Sequence, residues 1–600
     1  MLALAGVRVA RRRRSRSLPL GLGLAVLLAV AVAVPGLLPD QRNDDSKPRL
    51  PNDNTLFSSW SPIFRVDVDQ FADRKLLYHD GLLGSAIYQF DGDVSSLGRF
   101  ETDPRSLPFS VADAPPEDVL IVGAAGGQEV LASLYYDAGE IDAVELNPVT
   151  HDLVTDDYAD YGGRIAEFPN VDYVKGDGRS YLARSDDEYS IVWYPAPDSY
   201  AAANAATAGA FVLSESYLYT SEAVVDSLEH LGPDGIVATQ FGEFNFADKP
   251  NRTTRYVSTA RHALDELGID DPSSHILVST SPTKLGASSV ATILVKRTPF
   301  TAAEVDRFSA QVDDVEGGDL RYAPGRPRQD NSVTAVATLS DDELDAWYDD
   351  TRYDVRPITD DGPFFWHFTR FADVVKEFGE PVNRVDPEDA TGERVLLLLL
   401  VVAAAFAAVF LLLPFLAIRR TWAKLPRKRT SALYFASLGL GFMFFEITLI
   451  QRLTLFLGYP TYSLTVTLAS ILVFTGIGAL LSDRWKSQPR RAVPVLLATL
   501  AALTAFYLFG LPPLTDALLG WPLLTRVLVA FLVLAPLGLC LGTFMPLGLG
   551  AVAGLTDHSR EYVAWGWAVN GFASVIGAVA TTLLAMTFGF RVVLVLALLV

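Results

Sequence analysis

The sequence predicts a soluble α/β domain built from βαβ units, with a small β unit before it and a polytopic α-helical membrane domain after it. Three observations carry that expectation. Short β-branched runs alternate with helical stretches through the middle of the chain, the habit of a parallel sheet with crossover helices. Long uncharged apolar runs follow one another from Val395 onward. Charge is unevenly divided: residues 1–39 hold 6 Arg and no acid, residues 40–393 hold 65 acids and 28 bases, and residues 394–600 hold 15 bases and 5 acids. The 600 residues are 50% hydrophobic with a mean hydropathy of +0.25, an average over these unlike parts.

The net charge of −37 on the middle part repels phosphate backbones and anionic membrane surfaces. It argues against nucleic acid as a partner and favours a cationic ligand or a salt-rich surrounding. Cys540 is the only thiol and lies in an apolar run, which excludes disulfide scaffolds, Cys-ligated zinc and CxxC redox chemistry.

Taken in order, residues 1–17 are a basic N-terminus. Residues 18–38 (LPLGLGLAVLLAVAVAVPGLL) are uncharged and long enough to cross about 30 Å of hydrocarbon, so they read as a transmembrane anchor. A secretory signal peptide is the competing reading, but the run is long for one and no clean small-x-small site follows. A polar linker covers 39–58. The small β unit spans 59–110, with strands expected at Arg65–Val68, Lys75–His79 and Ala86–Phe90 and a turn at Asp80-Gly81.

Across 111–390, strands are expected at Asp118–Val122, Ile141–Glu145, Val171–Val174, Ile191–Tyr194, Ile236–Gln240, His275–Ser279 and Ala291–Val295. Helices are expected at Gln128–Tyr136, Ser221–Leu231 and Arg255–Leu267. The membrane domain occupies 394–600, with apolar runs at about 395–418, 431–450, 462–482, 492–512, 523–548 and 563–588. A seventh run begins after Arg591 and is still apolar at Val600, so the natural protein is expected to continue. The basic links RRTWAKLPRKR and DRWKSQPRR are expected to face the cytoplasm.

The strongest local signal is DVLIVGAAGGQEVLASL, a buried strand, a turn with Gly123, Gly126 and Gly127, then a helix. Such a turn lets backbone approach a ligand at the carboxyl end of a strand, where open α/β sheets bind. Neither the Walker pattern nor GxGxxG is met. Glu145 ends the next strand in IDAVELNP, 22 residues after Gly123, where a carboxylate can accept from both ribose hydroxyls. Asp177 and Gly178 follow a third strand in VDYVKGDGRSYL, placed to bind an adenine amino group. Gly, Glu and Asp at three successive strand ends are the layout of a nucleoside pocket of the S-adenosylmethionine type.

At these residues the chain resembles the spermidine synthase (polyamine aminopropyltransferase) family in its membrane-fused form, from about Ser59 to Phe246. WSPIFRVDV and LLYHDG are similar to that family's amino-terminal strands, and VLIVGAAGG, VELNP, GDGRSYL and LYTSEAVVDSLEHLGPDGIVATQ to its core. GLGFMFFEITLIQRLTLFLGYPTYSLTVTL and WAVNGFASVIGA resemble the membrane segments attached to such domains. The resemblance implies a Rossmann-like class I methyltransferase or spermidine synthase fold. It also implies S-adenosylmethionine or its decarboxylated form as cofactor, and an acceptor that includes polyamines.

The departures are specific. Gly126 stands where the family's GGGDG loop has an Asp. Pro195 stands where its catalytic Asp follows the fourth strand, leaving Asp198 in WYPAPDS as the acceptor or base carboxylate. Phe64 replaces a Gln, and the Tyr-His-Glu substrate motif has no counterpart near Phe100–Phe109. Aminopropyl transfer needs a carboxylate that holds an amine in line and takes its proton, which Pro195 cannot do. Methyl transfer asks less, because the sulfonium methyl is already activated.

His79, His151 and His367 lack HxxH or HExxH spacing, so no metal is expected. TDDGPFFWHF from Thr359 reads as a turn feeding an aromatic segment onto the sheet. Glu446 lies mid-span, where an ionisable group faces a cavity or a partner such as Arg452. Asn570, with Gly571 and Gly577, marks close helix contact. The expected function is a membrane-anchored, adenosyl-sulfonium-dependent transferase. The other reading is a non-catalytic nucleoside or polyamine sensor, or a transporter, with a degenerate synthase domain. Partners are the lipid bilayer and a small-molecule acceptor; the oligomeric state stays open. Charge bias places the α/β domain outside the cytoplasm, whereas S-adenosylmethionine is made inside.

Overall fold

The computed structural model describes residues 50–196, 216–282, 289–381, 390–485 and 489–600. The expected anchor at 18–38 and Asp198 lie outside the described residues. Pro51–Val600 forms one compact unit.

Four antiparallel strands open it: β1 (Thr55–Trp60), β2 (Arg65–Phe71), β3 (Arg74–His79) and β4 (Leu82–Tyr88). β1 was not expected from sequence: half-buried and exposed positions alternate along it, but none is buried and half of its residues are Ser or Thr. β4 starts earlier than Ala86 because Asp80 and Gly81, both at positive φ, make a two-residue turn that leads straight into Leu82.

The main sheet has eight strands in the order β12-β10-β11-β9-β8-β5-β6-β7. β5 (Asp118–Val122), β6 (Glu140–Glu145), β7 (Val171–Lys175), β8 (Tyr189–Tyr194) and β9 (Leu231–Glu243) are parallel. β10 (Ile276–Pro282), β11 (Ser289–Lys296) and β12 (Asp319–Tyr322) add antiparallel. β5 reads as an unbroken apolar run because the sheet is covered on both faces. The chain winds from β5 to β6 and β7 on one side and to β8 on the other, so the sheet's switch point, the usual ligand crevice, lies at the carboxyl end of β5. β9 includes Gly232-Pro233-Asp234-Gly235, across which its pairing with β8 shifts register, from Tyr189 opposite Leu231 to Ile191 opposite Ile236. The helices Ala302–Asp314, Ser332–Thr338 and Asp341–Asp350 also escaped the sequence reading.

Among the described residues, six helices are long and apolar enough to cross a membrane: Thr391–Ala417, Lys428–Leu457, Pro460–Arg484, Arg491–Leu518, Leu523–Ala553 and Ser559–Phe588, here called the first to sixth spans. A shorter apolar helix, Phe590–Leu599, follows. The α/β domain touches one end of this bundle. Tyr459, between the second and third spans, donates to the Ile63 carbonyl at 2.7 Å. Arg526, early in the fifth span, reaches Ser180 Oγ at 2.7 Å, and the Phe590 N–H donates to the Asp361 carbonyl at 2.9 Å. Because successive spans reverse direction, the basic residues Arg419, Arg420, Lys424 and Arg427, and Arg484 at the end of the third span, lie at the opposite end. Phe364, Phe365, Trp366 and Phe368 are buried in the core that the sheet shares with the bundle, Phe364 meeting Phe590 at 5.5 Å between ring centres.

Candidate functional site: the strand ends against the bundle

β5 delivers its chain into the turn Gly123–Gly127, where Gly123 (φ +93) and Gly127 (φ +80) take the left-handed conformation that side chains disfavour. Ala125 is also left-handed, at φ +44, and is held from two sides. Its N–H donates to Glu145 Oε2 at 3.0 Å, and its carbonyl accepts from Tyr173 Oη at 2.8 Å. The turn is therefore tied to the ends of β6 and β7, and Tyr173 is a site residue that sequence reasoning missed. Its signal, a Tyr inside a β-branched strand, is indistinguishable from a core residue.

Glu145 is buried, and its other oxygen, Oε1, accepts from the Asn147 N–H at 2.6 Å. Burial pushes its carboxyl up to about 7, against the pull of the two backbone N–H groups. An ionised carboxylate offers about four acceptor positions. Two are used here, and two remain. Asn147 in turn caps the helix Pro148–Asp152 and reaches the Phe64 carbonyl at 3.4 Å.

Gly126 donates its N–H to Ser85 Oγ at 3.1 Å, and a Cβ there would stand 2.3 Å from the Ala86 carbonyl oxygen. The β unit thus packs directly on the turn, in the space that a side chain at position 126 would need. This accounts for Gly126 where the resembled family carries Asp. Gly126→Ala should destabilise the chain by about 1–3 kcal/mol, the cost of overpacking against backbone, read as a lowered thermal midpoint.

Asp177 caps the helix Gly178–Leu182, its carboxylate accepting from the Ser180 N–H at 2.7 Å. A Cβ on Gly458, between the second and third spans, would lie 3.5 Å from the Asp177 Cβ. The bundle therefore borders Asp177. Pro195 follows β8, half-buried, beside a cavity of about 20 Å³ lined by Ala196, Tyr219, Phe241, Gly242, Arg252, Phe365 and Trp366. The charged member of that lining is Arg252.

Arg179, next to Gly178, is buried and donates to Asp360 at 2.9 Å and Asp226 at 2.7 Å. Burial opposes its charge, but the two carboxylates hold it protonated. Glu222 accepts from the Asp360 N–H at 2.9 Å; burial and the Asp360 charge push its carboxyl up to about 7. The adjacent Asp361 pairs with Arg452 of the second span at 3.1 Å. Thr359–Gly362 thus joins the β7 end to the bundle, a role the sequence did not signal. Arg452, expected as a partner for Glu446, is committed to Asp361 and to the Tyr507 carbonyl at 2.8 Å. Asn570 donates to the Phe435 carbonyl at 3.2 Å, across the contact of the second and sixth spans. Among the described residues no three His, Cys, Asp or Glu side chains group to hold a metal.

No family model matches the chain. No curated protein matches it either. Among solved structures it is similar to a spermidine synthase in complex with the transition-state analogue AdoDATO, at 12% identity and a TM-score of 0.31, over 51% of this chain and 96% of that one. It is similar to spermidine synthase from Thermotoga maritima at 12% identity and TM-score 0.31, over 52% and 98%. It is similar to a probable spermidine synthase from Corynebacterium glutamicum ATCC 13032 at 14% identity and TM-score 0.31, over 48% and 98%. What defines the fold class is the strand order itself, a mixed Rossmann-like sheet, joined among the described residues to six helices long and apolar enough to cross a membrane.

Proposed function

We propose that the α/β domain binds an adenosyl-sulfonium compound at the ends of β5, β6 and β7 and is the transferase part of a spermidine synthase-like membrane protein. The observation that carries this reading is Glu145, buried beside the glycine turn with two acceptor positions left for a ribose diol. Asp177 takes the adenine amino group, and Asp198 is the carboxylate proposed for the acceptor. Pro195, which carries no carboxylate to hold and deprotonate an amine, favours methyl transfer over aminopropyl transfer to a polyamine. Calorimetry on the full chain with S-adenosylmethionine, its decarboxylated form and methylthioadenosine tests the pocket. Binding of at least one is expected, and no heat with any of the three would reject it.

A second reading, binding without transfer, is favoured by the docking of the bundle on the same strand ends through Gly458, Arg526 and Arg452. Arg419, Arg420, Lys424 and Arg484 stand at the bundle's far end, and the positive-inside tendency supports an α/β domain outside the cytoplasm. There a sulfonium donor is scarce, and a ligand-responsive domain acting on the bundle fits better. Protease added to intact cells should cut the segment 313–330. Protection until the membrane is breached would place the domain inside and favour the transferase.

A further inference from the structure

The second span carries a carboxyl group that none of the contacts above uses. Glu446 sits in Lys428–Leu457 and is 7% exposed, and among the described residues no hydrogen bond or ion pair reaches it. Gly439, Met443, Glu446 and Ile450 share one helix face by spacing. That face meets two other spans. Phe435 and Gly439 accept from Asn570 at 3.2 Å and Ser574 at 3.4 Å, so the second and sixth spans run parallel at a constant offset, which brings Thr581 level with Glu446. Ser463 of the third span donates to the Ile450 carbonyl; the antiparallel partner one turn further on, Thr467, is then level with Glu446.

Thr467 is fully buried and its hydroxyl has no partner. Thr581 is fully buried and donates to the Gly577 carbonyl at 2.6 Å, which leaves its lone pairs unused. The charged groups on the packed elements are committed elsewhere. Arg452 pairs with Asp361, Arg526 with Ser180 and the Phe456 carbonyl, and Arg591 lies beside Asp361. Cys540 of the fifth span contacts the Leu496 carbonyl. Arg560 and Glu561 of the sixth span are about 30 Å along the helix from Thr581. An ionised carboxylate without a partner is strongly disfavoured inside a bundle, so it must be neutralised by a proton or by a bound cation.

We propose that Glu446, Thr467 and Thr581 form a site inside the bundle that holds either a proton or one monovalent cation. The donor set is oxygen only, which suits a hard inorganic ion or the ammonium head of an amine and not a soft metal. Cation entry displaces the Glu446 proton to water. The site stands apart from the strand-end cleft and does not depend on what binds there.

Dicyclohexylcarbodiimide, which reacts with protonated carboxyls in apolar surroundings, tests this on the full chain in detergent, with the adduct located by mass spectrometry. Glu446 should be labelled, less so as pH rises, and Glu446→Gln should abolish the adduct. Sodium chloride, against choline chloride at equal ionic strength, should protect if the cation is inorganic. Putrescine should protect if it is an amine. Thr467→Val should raise the half-protecting concentration about tenfold, the factor one hydrogen-bond-scale ligand is worth. Absence of labelling in a chain that still melts cooperatively, or labelling that neither cation reduces, would overturn the site. Protection unchanged in Thr467→Val would remove the threonine from it and overturn the proposed donor set.

Discussion

Arg179→Ala is expected to destabilise the full chain by about 3 kcal/mol, the low end for removing one partner of a buried ion pair. Arg179 is 6% exposed, so its loss leaves Asp360 facing Glu222 with no cation between them, while Asp226, 43% exposed, rehydrates. Arg179→Lys keeps the charge but not the fork that serves two carboxylates, and should recover part of the loss. The measurement is the thermal midpoint of the detergent-solubilised chain as a function of pH. Glu222 and Glu145 have folded-state pKa values of about 7, above the ordinary carboxyl value. The folded state therefore binds more protons than the unfolded one between that ordinary value and about pH 7. Stability falls as pH rises through this window. Removing Arg179 adds to the repulsion on Glu222 and should steepen the fall. A variant as stable as the parent at pH 8 would show that the β7 end is not braced through Thr359–Gly362.

The parts of this arrangement that could be read in the sequence are those where local pattern and global fold agree. β5 and β6 are short, largely buried runs that end at glycine or acid, and period and length suffice to find them; β7, at the sheet edge, is found from its β-branched ends before Gly176. The six spans are legible because a bilayer demands about twenty apolar residues in a row. What escaped depends on contacts distant in sequence. Nothing in VDYVK marks Tyr173 as the residue that holds Ala125 from below. Arg452 was the charged residue near Glu446 in the sequence, yet Asp361, ninety-one residues earlier in the chain, is where Arg452 is bound. Gly126 reads as a lost carboxylate in sequence and as a close approach to Ala86 in structure, and only the latter says why Asp cannot stand there. Short polar helices such as Asp341–Asp350 bury too few apolar positions to carry a period.

Glu145→Ala is expected to weaken binding of an adenosyl compound by about 1.5–3 kcal/mol, the worth of hydrogen bonds to a charged acceptor. The same substitution removes the group that holds the Ala125 N–H, so affinity must be compared with stability. Glu145→Gln separates the two: the amide oxygen can still accept from one backbone N–H, but it carries no charge and cannot serve both ribose hydroxyls as the carboxylate does. For the parent chain the pH dependence has a definite sign. The ribose diol donates its protons, so it needs the ionised form, and with the carboxyl at about 7 in the empty site, affinity should fall about tenfold per pH unit below that value. Binding at pH 6 should release close to one proton, seen as a buffer-dependent heat. Glu145→Gln should be weak and flat across the same range. Asp177→Asn is the control, because Asn caps helices as well as Asp, so it should leave the helix Gly178–Leu182 intact and change affinity only if the side chain touches the adenine. If the parent chain binds with no pH dependence between 6 and 8, Glu145 is not the ribose acceptor, and its buried carboxyl serves only to fix the turn.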